Sequence, residues 1–158
     1  MTRRIRIKWS FGDLFAVPLK DKTYGLLQVV DLMMTNVVYV AIFNKKTEQH
    51  HGTISMSVDD IISLIAITKE GLDFGYFNLV GNTKLYVNKN DFNNEKFASK
   101  GYVGAKIYDY GLVIDFLNAY HGLEYWDNWI NPNYLDDFLI DLGKKPKYLK
   151  LKNKKTNS

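Results

Sequence analysis

Residues 107–143 carry seven acids and nine aromatics with no Lys or Arg among them. The acids are Asp109, Asp115, Glu124, Asp127, Asp136, Asp137 and Asp141, and the aromatics include Tyr125, Trp126, Trp129, Tyr134 and Phe138. Large aromatic anchors beside negative charge suit the capture of a cationic protein partner. The same residues would also make an ordinary aromatic core with a solvated acidic rim. In the loop 125–129, a single Trp is best read as a plug beneath the neighbouring helices, since exposing it is costly. The whole stretch, with acids interleaved and no base, fits partner contact equally well. Asp136 and Asp137, with Asp127 nearby, invite a metal reading. Neighbouring helical positions point about 100° apart, so those two cannot readily share an ion. Asp137 and Asp141 are four apart and share a face, which suits cations on a partner. The candidate partner-binding set is therefore Tyr125, Trp126, Asp127, Trp129, Asp136, Asp137 and Asp141.

Other chemistry is thin. His50 and His51 are adjacent in a polar loop, where two rings do not face one ion. His121 ends a helical stretch, where a donor suits the terminal carbonyls, and it has no acid–base partner in the pattern. No phosphate loop, dinucleotide fingerprint, nucleophile elbow or zinc-protease motif is present. No catalytic residue, metal site or cofactor is expected. There is no Cys, so neither a disulfide framework nor a thiolate site arises, which fits a reducing cytosol.

The net charge of +4 conceals a division. Arg3, Arg4, Arg6 and Lys8 crowd the N-terminus, and seven lysines fall in residues 144–158. Between them lie all seventeen acids against ten lysines, so the body stands at −7. That distribution disfavours nucleic acid as a partner of the body. No apolar region follows the N-terminal charges, which argues against a signal peptide. No apolar stretch is long enough to span a bilayer, so a cytoplasmic protein is expected.

The elements that must position these residues follow from periodicity. Ile5, Ile7, Trp9 and Phe11 alternate with Arg4, Arg6, Lys8 and Ser10, as in a strand with one cationic face. Residues 14–19, 24–31 and 37–43 read as three more strands, completing a four-strand antiparallel meander. A short strand is expected at 54–56. Ser57 and Asp60 form a capping-box pattern ahead of Ile61, Leu64, Ile65 and Thr68, which predicts a helix ended by Gly71. A hairpin is expected around Gly81-Asn82, a polar loop over 88–100, and a strand within 103–108. Residues 112–120 read as a helix capped near Gly122. Asn131-Pro132 predicts a last helix, with Tyr134, Leu135, Phe138, Leu139 and Leu142 as its stripe and Gly143 as its end. The expected fold is α+β: an N-terminal antiparallel, barrel-like meander with a few helices, two of them C-terminal. Residues 1–143 would form one domain, and 144–158 a flexible Lys-rich tail that alternatively pairs in cis with the acidic run.

Two stretches carry a resemblance. One is Lys8-Trp-Ser-Phe-Gly-Asp-Leu-Phe-Ala-Val-Pro-Leu19, followed by Tyr24-Gly25 and Val29. The other is Ala119-Tyr-His-Gly-Leu-Glu-Tyr-Trp-Asp127 with Pro132-Asn-Tyr-Leu-Asp136. Both resemble the bacterial polymorphic-toxin immunity proteins called immunity protein 26. The resemblance implies an α+β protein without enzymatic activity, which binds and silences a cognate toxin domain. It does not fix which residues touch the toxin. A cationic toxin, such as a nuclease, would complement the acidic body.

The competing reading is a small RNA-binding protein or endoribonuclease. Gly12-Asp13 followed by Pro18 loosely resembles the start of toxin endoribonucleases with an SH3-like barrel, and the basic ends would hold phosphates. Against it stand the acidic body and the lack of any Arg after residue 6. An inert structural subunit is a third reading, and the oligomeric state is open.

Overall fold

Runs of β-branched and aromatic residues dominate the first half of the chain, and they build the sheet. The computed structural model describes residues 5–48, 55–128 and 130–152. Strands β1 (Asp13–Pro18), β2 (Tyr24–Met34), β3 (Val37–Thr47) and β4 (Ile61–Thr68) form an antiparallel meander. A short helix, α1 (Glu70–Asp73), then leads to β5 (Asn78–Asn82), which returns to the outer edge of β1. At the opposite edge, β6 (Ile107–Tyr108) lies parallel to β4, and α2 (Tyr110–Tyr120) follows directly. The strand order is β5-β1-β2-β3-β4-β6.

Register explains the packing. Val29, Val40 and Ile65 stand opposite one another across β2, β3 and β4. They share a buried face with Phe15, Val17, Leu27 and Ile42, covered by Val113, Phe116 and Leu117 of α2 and by Trp126 and Phe138. Gly25 lets α2 come this close: a Cβ there would meet Leu117 Cδ1 at 2.7 Å. The other face buries Tyr39, Ala41, Phe43 and Ala66 beneath Phe92, with Met56, Tyr86, Val87 and Tyr102 around them. Phe92 stacks on Tyr39 at 4.3 Å between ring centroids.

The fold is α+β, with the later helices C-terminal to the sheet. Several expectations are corrected. The sheet is open rather than barrel-like, with β5 and β6 as its edges. The helix expected from Ile61 to Thr68 is β4. An inner strand buried on both faces shows a continuous apolar run, in which helical spacings arise by coincidence. The capping box of Ser57 and Asp60 does form, but it closes only the 3₁₀ turn Val58–Asp60. The alternating residues from Ile5 to Phe11 lie outside any strand. They dock instead on the end of α1, where the Ile7 N–H donates to the Asp73 carbonyl at 2.7 Å. The Trp9 indole N–H donates to the Asp73 carboxylate at 2.8 Å. No hairpin forms at Gly81-Asn82, because residues 78–82 take β1 as their partner. Residues 88–100, expected as a loop, contain the 3₁₀ turns Lys89–Asp91 and Asn93–Lys100.

The last expected helix is also absent among the described residues. Two 3₁₀ turns, Asp136–Phe138 and Leu142–Lys144, stand in its place. Between them the chain is extended, and the Ile140 N–H donates to the Ile62 carbonyl at 2.8 Å. Docking to the sheet outcompetes the helix that Asn131 and Pro132 would start. Within residues 144–152 the Lys-rich segment contacts the body. Trp126 N–H donates to the Lys150 carbonyl at 2.9 Å, and Lys145 pairs with Asp136 at 2.8 Å. Among the described residues no helix is long and apolar enough to cross a membrane. His50, His51, Ile54 and Trp129 lie outside the described residues, and Ser55 and Met56, expected in a strand with Ile54, lie in none.

Candidate functional site

The docked, non-helical course of residues 131–142 opens a cleft of about 640 Å³ against the loop that follows Phe92. Asp136, Asp137 and Asp141 lie on one side, with Asn131 and Asn133. Asn93, Asn94 and Phe97 form the other wall, and Lys106 is the cation that lines it. A smaller cavity bounded by Tyr39, Phe92, Tyr108 and Asp137 adjoins it.

The loop wall is held from behind. Glu95 accepts hydrogen bonds from the hydroxyls of Tyr39, at 2.5 Å, and Tyr102, at 2.9 Å. Tyr39 is fully buried, so desolvation first, and the Glu95 carboxylate second, push its hydroxyl pKa up. For Tyr102 the hydrogen bond to Glu95 is the leading cause of a rise. The Asn94 side chain donates to the Lys106 carbonyl at 2.7 Å and accepts from its N–H at 3.1 Å, tying the loop to the approach of β6.

The three acids differ. Asp136 is committed within the chain: its Oδ1 accepts from the Trp126 indole N–H at 2.7 Å and pairs with Lys145 at 2.8 Å. Asp137 pairs with Lys106 at 3.3 Å, but both side chains are largely exposed, 73% and 65%, so the pair contributes little. Asp141 is exposed and has no ion-pair partner among the described residues. Exposed Leu142 sits beside it, and exposed Ile130 and Tyr134 lie along the same segment.

The aromatic residues also separate. Trp126 is 0% exposed and packs with Phe116 at 5.8 Å between ring centroids. Asp127 is buried as well, with Oδ1 accepting the Lys152 N–H at 2.6 Å. Both side chains are covered in the folded chain, Trp126 by the apolar core and Asp127 by the segment that carries Lys152. Tyr125 is half-buried, with the ammonium groups of Lys150 and Lys152 at 4.8 and 5.6 Å from its ring centroid. It borders a second pocket, of about 280 Å³, with Asp115, Glu124, Asp127 and Tyr134. Burial first, and the Glu124 charge second, hold the Asp115 carboxyl above its ordinary value. Glu124 is held below its own by its ion pair with Lys20 and by the Tyr125 N–H.

His121 is the C-cap residue of α2, but its backbone N–H, not the side chain expected as donor, bonds to the Leu117 carbonyl at 3.1 Å. Its Nε2 is buried and has no hydrogen-bond partner among the described residues. Desolvation, aided by the Lys46 charge, lowers its pKa to about 4. Among the described residues no group of His, Asp or Glu is placed to hold a metal ion.

The cleft acids are among the residues the sequence singled out, whereas the wall opposite them, Asn93, Asn94 and Phe97, is not. The only signal for Asn93 and Asn94 was a polar, Asn-rich stretch, which marks a loop without saying what it faces.

No curated protein and no solved structure matches the chain. The family model of Immunity protein 26 matches residues 10–101. That span holds β1 to β5 and the Asn93–Lys100 turn; the resembling stretch at 119–136 falls outside it. The match covers more than half of the chain, and the protein belongs to the immunity protein 26 family.

Proposed function

We propose that this immunity protein neutralises a cognate polymorphic-toxin domain in the cytoplasm by stoichiometric binding, without catalysis, through the cleft that Asp137 and Asp141 line. One observation supports it most: two exposed acids stand at an open cleft with amide walls, beside exposed apolar side chains. Charge draws in a cationic partner, and the desolvated apolar contacts hold it. A cationic nuclease is the toxin class that this field suits best. Asp136 and Trp126 serve the interface indirectly, by fixing the segment that carries Asp137. Trp129, outside the described residues, stays in the proposed set on its chemistry alone.

The test is calorimetric titration with the toxin domain encoded beside the gene, at low and high salt. A one-to-one complex that weakens with salt supports the reading and the acidic face together. Tight binding without salt dependence keeps the function and moves the interface to the aromatics. No heat at either salt, together with tight RNA binding in a gel shift, would favour the RNA-binding alternative.

A further inference from the structure

We propose that the slot beside Tyr125 is a binding site for an extended, lysine-bearing peptide, and that residues 149–152 occupy it in cis as a built-in competitor. Residue 150 forms a parallel β-bridge with Tyr125. Two backbone donors fix the register: Trp126 N–H to the Lys150 carbonyl at 2.9 Å, and Lys152 N–H to the Asp127 carboxylate at 2.6 Å. In an extended chain alternate side chains share a side. Lys150 and Lys152 accordingly both stand over the Tyr125 ring, while Leu149 and Leu151 pack against the apolar core. The slot therefore reads a Leu-Lys-Leu-Lys pattern, with main-chain bonds for adhesion and alternate side chains for selection.

The same pocket continues past the strap. Asp115, Glu124 and Asp127 border it, and Lys152 is the cation that reaches it. The strap is held by a single bridge, two hydrogen bonds, two partly buried leucines and cation–π contacts at a half-exposed ring, without an ion pair of its own among the described residues. A partner strand making the same contacts plus further ones to Asp115 can replace it. Resting on the immunity reading, the occupant in a complex is an extended cationic segment of the toxin, which enters as residues 149–152 leave.

The experiment needs no toxin. A fluorescent peptide with the sequence of residues 148–155, YLKLKNKK, is titrated into the full-length chain and into full-length K150A/K152A. In the parent chain the strap competes at an effective concentration of about millimolar. Weakening it should tighten peptide binding at least ~10-fold. A peptide with alanine for the lysines matching Lys150 and Lys152 should not bind. Equal affinity for the two proteins, or equal binding of the alanine peptide, overturns the proposal. Tyr125→Leu keeps the apolar bulk and guards against misfolding as an explanation. It should raise amide exchange at Trp126 by about tenfold while core amides of β3 hold their protection. Unchanged exchange at Trp126 also counts against the proposal. Failure here leaves the immunity reading standing, whereas peptide exchange without toxin binding overturns only that reading.

Discussion

At the cleft, Asp137 and Asp141 face solvent across amide side chains, and Lys106, which pairs loosely with Asp137, is itself exposed. At the slot, the carboxylate of Asp127 already accepts the Lys152 backbone N–H, and the face of Tyr125 holds the Lys150 and Lys152 ammonium groups. Both surfaces come from one acidic, aromatic stretch, yet they stand differently toward a partner. Charge that is answered in cis must be stripped of its partners before it can bind in trans, and that costs what the internal contacts contribute. Unanswered charge steers association at once. Composition thus locates the acidic region, and pairing decides which part of it is open.

The largest effect should come from the residue that looks most like an anchor. Trp126→Ala should cost about 3–5 kcal/mol, because a fully buried indole is removed and Asp136 loses its donor. Urea denaturation measures it. Toxin binding lost without that loss of stability would place Trp126 at the interface and break the comparison. Asp136→Ala should cost about 1–3 kcal/mol by the same assay, since it orphans the Trp126 N–H and unpairs Lys145.

His121 gives a pH signature. Its folded pKa, about 4, lies below the ordinary value of 6.5, so the unfolded chain binds the proton first. Stability should therefore fall as pH drops from about 6.5 toward about 4, by on the order of 1 kcal/mol after allowance for partial exposure. His121→Gln should flatten that part of the stability–pH curve. An unchanged curve would assign the dependence to other groups.

The smallest change in stability sharpens the comparison most. D137N/D141N should leave stability within about 0.5 kcal/mol. The same pair should slow association with the toxin several-fold at low salt and flatten its salt dependence. Unchanged stopped-flow rates would mean that the cleft acids are idle.

The parts legible in the sequence are those where one local rule acts alone. β1, β2 and β3 alternate or run apolar between clear turns, and α2 repeats every four residues before a glycine with φ of +77°. β4 mimics a helix in sequence because burial on both faces erases the period that distinguishes strand from helix. The segment after Asn131 departs from its local helix signals because it docks on Ile62, far away in sequence. At the site, the residue types were readable but their answers were not. Nothing near Asp136 announces Lys145 as its partner, nothing near Tyr125 announces Lys150, and the amide wall comes from some forty residues upstream of the acids.

The return of β5 to β1 bears on how the chain is made. The meander from β1 to β4 is complete once Thr68 has left the ribosome, but the outer edge of β1 has no partner until Asn82 follows. The face bearing Phe15, Val29 and Val40 waits longer still, for α2 and Trp126. Synthesis runs from the N-terminus, so the nascent sheet carries one apolar face and an open edge together. A product that stops before Tyr110 should collect in the insoluble fraction, and one that reaches Lys152 should not. For a protein meant to disarm a toxin promptly, the C-terminal layer is what turns a sticky nascent chain into an antidote ready for use.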